Sequence, residues 1–195
     1  MPIIVAMTGA SGSIYGIRIL EALKGLGVET HLVMSRSAAL TLRMETDYNP
    51  DDVQALASDS HSVANIGASI SSGSFRTEGM IVAPCSIKTL SGIAHSYEDN
   101  LIVRAAGVVL KEQRKLLLML REAPLHLGHI RLMATASEIG ATIFPPVPAF
   151  YSRPTTIDDI VNQSVARVLD QFGYEMPIER WAGIHEHRQS TDDSA

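Results

Sequence analysis

The sequence predicts an α/β fold with a doubly wound, mainly parallel sheet, and three observations predict it. Short apolar runs alternate with segments of helical periodicity along most of the chain. The first run, residues 2–7, is apolar at nearly every position, as in a strand that is covered on both faces. Glycine, serine and threonine follow it directly, as in a strand-to-helix turn. This pattern is typical of a Rossmann-like or flavodoxin-like single domain.

In the first half of the chain, spacing identifies most of the elements. Residues 14–26 carry apolar side chains at helical intervals, and Gly27 stands where that helix would end. The other elements predicted here are a strand over 30–34 and helices over 35–44 and 50–57. The stretch from residue 58 to residue 73 is polar and rich in serine, histidine and glycine, and no strand is predicted in it.

The second half restores the alternation. The predicted strands cover residues 79–83, 115–120 and 141–144, and the predicted helices cover 86–94, 101–112, 127–139 and 155–172. The last helix has the clearest apolar stripe. Thr156 and Asp159 at its start resemble a capping box with an aspartate in place of the usual glutamate.

Composition limits the function. The chain has 195 residues, of which 46% are hydrophobic, and 16 basic against 21 acidic residues give a net charge of -5. No basic patch is evident, so binding to nucleic acid or to an anionic membrane is not expected. A single cysteine cannot form an intrachain disulfide or a thiolate metal site. Without a membrane span or a signal sequence, we expect a cytoplasmic protein with one domain over 1–180 and a tail over 181–195.

Two strand-to-helix loops carry residues suited to binding an anion. In the first, residues 8–12, small side chains let the backbone approach a ligand, although an ordinary tight turn would look similar. In the second, Ser86, Lys88 and Thr89 offer hydroxyls, an ammonium group and the donors of a helix start. The alternative there is a simple cap with a solvated lysine. Cys85 is expected to be buried rather than nucleophilic.

Two further loops follow later strands. Arg121 and Glu122 come directly after the apolar strand 115–120, either as site residues or as a structural ion pair. The proline-rich segment 145–151 could hold Tyr151 over a pocket or serve as a rigid connector. His126 and His129 stand three residues apart, but no HExxH pattern accompanies them, so no metal is predicted.

Taken together, the motifs resemble the UbiX/Pad family of flavin prenyltransferases. The resemblance runs from Ile3 to about Trp181 and rests on eight segments in order: MTGASG, HLVMSRSA, ETD, SSGSFRTEGMIVAPCSIKTLSGI, LIVRAAGVVLKEQRKL, REAPL, PPVPAFYSRP and VARVLDQFG. It implies a metal-free reaction in which a dimethylallyl group from dimethylallyl monophosphate is joined to N5 and C6 of reduced FMN. The product, prenylated FMN, serves a UbiD-type decarboxylase. The resemblance also implies a homododecamer with active sites at subunit junctions.

The resemblance also implies roles for individual residues. The FMN contacts fall on Gly9, Ala10, Ser11, Ser35, Ser86, Ile87, Lys88, Thr89 and Arg104. The prenyl-phosphate contacts fall on Lys111, Arg121, Tyr151 and Arg167. The catalytic group comprises Glu122 as the acid–base carboxylate, Glu45 as a second carboxylate, Ser11, and Trp181 as an aromatic near the allyl group.

The sequence departs from the family pattern at three positions. Arg131 and Leu132 stand where relatives usually carry a carboxylate and an amide, and Gly107 replaces a common acid. Two alternatives therefore stay open beside the prenyltransferase. One is a flavin-dependent cysteine decarboxylase of the same superfamily, although the PxMNxxMW segment of that branch is absent. The other is an FMN-binding assembly subunit without catalysis.

Overall fold

The computed structural model describes residues 1–183, which contain six strands and seven α-helices. The strands are β1 (Ile3–Met7), β2 (Thr30–Met34), β3 (Asp59–Ser62), β4 (Gly79–Cys85), β5 (Lys115–Leu120) and β6 (Ala141–Ile143). The helices are α1 (Ser13–Gly25), α2 (Arg36–Glu45), α3 (Pro50–Gln54), α4 (Ile87–Ala94), α5 (Leu101–Lys111), α6 (Leu127–Glu138) and α7 (Ile157–Asp170). The chain forms two compact units, Met1–Pro146 and a second that begins at Val147.

All six strands lie in the first unit and form one parallel sheet in the order β3-β2-β1-β4-β5-β6. Every residue of β1 and β4 is buried, which explains why both strands read as continuous apolar runs. The predicted fold class, an α/β protein with a doubly wound parallel sheet, is confirmed. The order reverses between β1 and β4, because the chain proceeds from β1 toward one edge and from β4 toward the other.

The expectation of no strand between residues 58 and 73 is wrong. The segment Asp59–Ser62 pairs with β2 in parallel and forms the edge of the sheet. It reads DSHS and three of its four residues are exposed. A short polar edge strand is stabilised by backbone pairing with its neighbour rather than by burial, so it leaves no hydrophobic signal in the sequence.

The helices begin where the sequence predicts them. The capping box of α7 is present, because the Thr156 hydroxyl accepts the Asp159 N–H and the Asp159 carboxylate accepts the Thr156 N–H. α7 and the short 3₁₀ turn Phe150–Ser152 belong to the second unit. The predicted domain, residues 1–180, spans both units, and 184–195 of the predicted tail lie outside the described residues. Within the described part of the chain, no helix has the length and hydrophobicity needed to cross a membrane.

Candidate functional site

A cleft lies at the carboxyl ends of β1 and β4, at the point where the strand order reverses. In open α/β sheets this switch point is where ligands bind, because the loops after the two strands diverge. The cleft has a volume of about 510 Å³. It is lined by Thr8, Gly9, Ser35, Arg36, Ser37, Val63, Ser86, Lys88, Thr89, Asp99, Asn100, Ile102 and Val103. Five of the predicted FMN contacts therefore meet here: Gly9, Ser35, Ser86, Lys88 and Thr89.

Three helices begin at this cleft. Ser35 caps α2 by accepting the Ala38 N–H at 3.0 Å, and Ser86 caps α4 by accepting the Thr89 N–H at 3.3 Å. Asn100 caps α5 by accepting the Ile102 N–H at 2.9 Å. The start of a helix carries a partial positive charge and favours an anion. Sequence reasoning missed Asn100, although an asparagine directly before an apolar helix is a recognisable cap signal.

Charged side chains add to the partial positive charge of the helix starts. Lys88 is largely exposed in the cleft, and its Nζ lies 4.0 Å from the Asp99 carboxylate, while Arg36 supplies a second cation. An exposed pair at this distance contributes little to stability. Lys88 can therefore turn toward a bound phosphate without a large loss elsewhere.

Thr8 joins the two loops that form the floor of the cleft. Its hydroxyl donates to the Pro84 carbonyl at 2.7 Å and accepts the Ser86 N–H at 2.8 Å, and the side chain is 2% exposed. The loop after β1 is thereby fixed to the loop after β4. Sequence reasoning missed this residue, because nothing in the local pattern indicates which threonine will reach a strand 76 residues away.

The loop after β1, residues 8–12 and here called the glycine loop, brings its backbone close to α2. A Cβ at Gly9 would lie 2.4 Å from the Ser37 Cβ, which no side chain could tolerate without a shift of the backbone. Glycine is therefore required here by close approach. The side chains of Ala10 and Ile87 are buried or partly buried against the protein interior. Ala10 can therefore offer a ligand little beyond its backbone atoms, whereas part of the Ile87 side chain stays exposed.

The start of α1 is already occupied by a carboxylate of the same chain. Glu45 Oε2 accepts the N–H groups of Gly12 at 2.9 Å and Ser13 at 3.0 Å. Partial burial acts to raise the pKa of Glu45, but hydrogen bonds from Ser11 and from these backbone groups outweigh it and lower the pKa. The N–H groups of Gly12 and Ser13 are therefore already satisfied by Glu45. Glu45 and Ser11 hold the glycine loop in place.

Arg121 and Glu122 follow β5 and are both exposed. The Arg121 N–H donates to the Cys85 carbonyl at 3.1 Å, which places this pair beside the end of β4. Glu122 Oε1 accepts the Ala123 N–H at 3.1 Å. Among residues 1–183 neither side chain takes part in an ion pair, so the structural alternative considered for them is not observed. Cys85 is fully buried as expected, and burial raises the pKa of its thiol to about 12.

Arg104 and Lys111 lie on α5 but are directed away from the cleft lining. The Arg104 guanidinium binds the Glu98 carboxylate at 2.7 Å and the Ser71 carbonyl at 3.1 Å. Lys111 binds its neighbour Glu112 and lines a separate depression with Glu98 and Gly107. A Cβ at Gly107 would lie 2.0 Å from Glu98 Oε1. The Glu98 carboxylate thus fills the space that a side chain at position 107 would need.

The remaining predicted residues lie in the second unit. Tyr151 stacks edge-on against Trp181 at a ring separation of 5.8 Å, and its hydroxyl accepts the Gln163 amide N–H at 2.9 Å. Arg167 binds Asp170 at 2.7 Å, and Arg180 binds the same carboxylate at 2.8 Å. The hydrogen bond from Arg180 is the main reason that the pKa of Asp170 is lowered. Of the candidate phosphate contacts, Tyr151 is therefore held by Gln163, and Arg167 is held by Asp170.

The departures from the family pattern lie outside the cleft lining. Arg131 is exposed on α6, and Leu132 is partly buried against the apolar core. His126 caps the same helix, since its Nδ1 accepts the Gly128 N–H at 3.0 Å, and its ring lies 3.6 Å from that of His129 at an angle of 36°. These residues support the helix rather than the cleft.

Comparison with known proteins identifies the family. The sequence profile of the flavoprotein family matches residues 1–169. The flavin prenyltransferase UbiX of Thauera aromatica is 62% identical over 187 residues, which cover 95% of this chain and 96% of that protein. The structure of AnUbiX in complex with FMN and dimethylallyl pyrophosphate has a TM-score of 0.93 at 52% identity, covering 94% of this chain and 98% of that one.

A second solved structure agrees. A dodecameric FMN-dependent UbiX-like decarboxylase from Escherichia coli O157:H7 has a TM-score of 0.92 at 56% identity, covering 94% of this chain and all of that one. Both likenesses extend over 94% of this chain. The chain therefore belongs to the flavoprotein family and, within it, to the UbiX flavin prenyltransferases.

Proposed function

We propose that this chain transfers a dimethylallyl group from dimethylallyl monophosphate to N5 and C6 of reduced FMN. In this reaction the allylic C–O bond breaks and inorganic phosphate leaves with the electron pair. Bonds form from the prenyl chain to N5 and to C6, N5 and C6 each lose a proton, and the prenyl double bond, which is consumed in ring closure, takes up one proton. The observation that carries the proposal is the convergence of Gly9, Ser35, Ser86 and Lys88 on the switch-point cleft, in a chain 62% identical to a flavin prenyltransferase.

The residues of the cleft fit FMN. Gly9 lines the cleft and packs too closely against Ser37 to carry a side chain, so its backbone atoms can face a ligand directly. The starts of α2, α4 and α5 and the Lys88 ammonium would neutralise the phosphate. FMN supplies the nucleophilic positions of the reaction. The chain supplies the orientation, through caps that are already hydrogen-bonded.

The prenyl phosphate requires a second set of cations. We assign this role to Lys111, Arg121, Tyr151 and Arg167, because a leaving phosphate dianion must be neutralised as the C–O bond breaks. Tyr151 is held by Gln163 and Trp181, so its hydroxyl hydrogen is free to point at a ligand while the oxygen accepts the amide. Arg167 already pairs with Asp170 and has further N–H groups for a phosphate.

Proton transfer and charge stabilisation have separate candidates. Glu122 is exposed at the end of β5 and has no ion-pair partner among the described residues, so it can accept the proton from C6. Trp181 is 54% exposed and offers an aromatic face to an allylic cation. We assign Glu45 and Ser11 an indirect part, since both are hydrogen-bonded within the glycine loop.

One chain does not supply the complete site. α5 has 11 residues and is about 16 Å long, and Lys111 lies at the end opposite to Asn100, which lines the cleft. Arg104 lies nearer to Asn100, but its guanidinium is bound to Glu98 and to the Ser71 carbonyl. We therefore propose that Lys111 and Arg104 act in the cleft of a second copy, within a homododecamer. Exposed apolar side chains on and beside α6, among them Leu127 and Ile130, offer a surface for such contacts.

We further propose that the product serves a UbiD-type decarboxylase and that the protein works in the cytoplasm. Prenylated FMN is a modified cofactor rather than an end product, so a second enzyme must consume it. The substrate flavin must be reduced, which suits a reducing compartment.

The experiment that tests the function uses reduced FMN and dimethylallyl monophosphate under anaerobic conditions, with mass spectrometry of the flavin and an assay of released phosphate. We expect one prenyl group per flavin and one phosphate per turnover. Tight FMN binding with neither product would indicate a non-catalytic assembly subunit. Loss of CO₂ from a peptide with a C-terminal cysteine would indicate a cysteine decarboxylase instead.

A further inference from the structure

Three polar residues meet at the edge of the sheet, outside the cleft. His31 lies on β2 opposite Asp59 of β3, and Asp59 and His61 are two residues apart on the same strand. Side chains two residues apart on a strand point to the same face. The register therefore brings two imidazoles and one carboxylate together, although the two histidines are 30 residues apart in the sequence.

The three ligand atoms are spaced as around one metal ion. His31 Nδ1 lies 2.9 Å from His61 Nε2, and Asp59 Oδ2 lies 3.8 Å from the former and 3.5 Å from the latter. A point equidistant from three atoms with these separations lies about 2.0 Å from each of them, which is the length of zinc–nitrogen and zinc–oxygen bonds. The arrangement of these three side chains is thus compatible with direct coordination without any large movement.

The surroundings orient the ligands as in known metal sites. The opposite nitrogen of His31, Nε2, lies 3.4 Å from the Glu29 carboxylate. A carboxylate on the far nitrogen is the usual second partner of a metal-binding histidine, since it fixes the tautomer and the ring orientation. The His31 ring also packs edge-on against Phe75 at 4.9 Å and parallel to His61 at 5.2 Å. These contacts fix the orientation of the His31 ring.

Burial differs among the three side chains. The imidazoles of His31 and His61 are 8% and 11% exposed, whereas Asp59 is 57% exposed. An ion can reach the buried nitrogens from the side of Asp59, and a water molecule can complete its coordination there. Nitrogen ligands with one carboxylate favour zinc and similar transition metals over magnesium or calcium, which prefer oxygen.

We propose that His31, Asp59 and His61 bind one zinc-class divalent ion that fastens the edge strand β3 to β2. The short polar strand β3 has little apolar surface of its own, so metal binding would supply the stabilisation that other strands gain from hydrophobic burial. It would also steady Val63, which follows β3, lines the cleft and accepts the Leu101 N–H at 2.9 Å. The ion takes no part in the prenyl transfer, and the proposal does not depend on that activity.

Isothermal titration of the full-length, FMN-loaded, chelator-treated protein with zinc chloride tests the site. We expect one ion per chain with a dissociation constant of about 10 µM or lower. Since loss of an outer-shell partner alone weakens metal sites about 10–100-fold, Asp59→Asn and His61→Ala should each weaken binding at least about 100-fold. His95→Gln, on an exposed histidine of the same unit, is the matched control and should bind as the parent does.

The melting temperature and diffraction give independent readouts. A zinc concentration of about 100 times the dissociation constant of the parent should raise the melting temperature of the parent by about 5–10 °C, and that of Asp59→Asn by no more than about 2 °C. Anomalous scattering from zinc-soaked crystals of the parent should place the ion between the three ligand atoms, even if a variant fails to fold. Absence of saturable binding, or binding that is lost in a His185→Gln/His187→Gln variant instead, would overturn the proposal.

Discussion

Thr8 is the most informative single position in the cleft, because its hydroxyl is the only feature that Thr8→Val removes. The substitution keeps the shape of the side chain. It deletes a donated bond to the Pro84 carbonyl and an accepted bond from the Ser86 N–H. Pro84 keeps a partner, since its carbonyl also accepts the Thr8 N–H at 3.2 Å. The N–H group of Ser86, the residue that caps α4, loses the Thr8 hydroxyl as its hydrogen-bond acceptor.

The expected loss of stability follows from the difference between these two hydrogen bonds. A carbonyl that retains one partner loses about 1 kcal/mol, whereas a donor left unpaired in the interior costs about 1–3 kcal/mol. The free energy of unfolding should therefore fall by about 2–4 kcal/mol. Because the freed N–H group belongs to the start of α4, Ser86 should also shift. We expect FMN to bind at least about tenfold more weakly, equivalent to about 1.4 kcal/mol.

Thr77→Val provides a matched control at the opposite end of β4. Thr77 is 4% exposed, and its hydroxyl donates to the Pro2 carbonyl at 2.7 Å and accepts the Gly79 N–H at 3.2 Å. The Pro2 carbonyl likewise keeps a partner, the Glu78 N–H. Both variants should lose similar stability in urea titrations. Only Thr8→Val should weaken FMN in fluorescence titrations, and equal FMN affinities for the two variants would refute the reasoning.

Three further predictions concern titratable residues. Glu122→Gln should slow product formation about 10²–10⁴-fold with FMN affinity unchanged, measured by anaerobic turnover and titration; a parallel loss of FMN affinity would indicate a structural role. Glu45→Gln should destabilise the protein by about 0.3–1 kcal/mol. Because the pKa of Glu45 is lowered in the folded state, its contribution to stability is complete above its ordinary pKa and disappears as the pH falls through the lowered value. The stabilities of the parent and of Glu45→Gln should therefore converge in acid titrations. Cys85, with a pKa near 12, should resist iodoacetamide until unfolding, and stability should decline above about pH 9, where the unfolded thiol ionises first.

The parts of the site that could be predicted from sequence are those built from contiguous residues. The loops after β1 and β4 each run from a buried strand through small residues into a helix start, so the residue pattern alone locates Gly9 and Ser86. Parallel strands then bring such loops to one edge of the sheet. Local pattern and global topology agree at these positions.

The parts that could not be predicted depend on contacts between distant segments. Thr8 reaches the Pro84 carbonyl 76 residues away, and Glu45 reaches the start of α1 across 33 residues. The edge strand β3 depends on pairing with β2, and with it the meeting of His31 and His61. A polar side chain in one segment does not reveal which distant backbone group it will satisfy, because that choice is made by packing of the whole sheet.

Gly107 shows why a departure from a family pattern must be judged in three dimensions. On sequence grounds, the replacement of an acid by glycine removes a carboxylate near Arg104. In the fold, Glu98 enters the space that a side chain at position 107 would need and binds Arg104 at 2.7 Å. The local charge is therefore retained by a carboxylate from the preceding loop. An acid at position 107 would have to displace Glu98, so the two positions are physically coupled and neither can be interpreted alone.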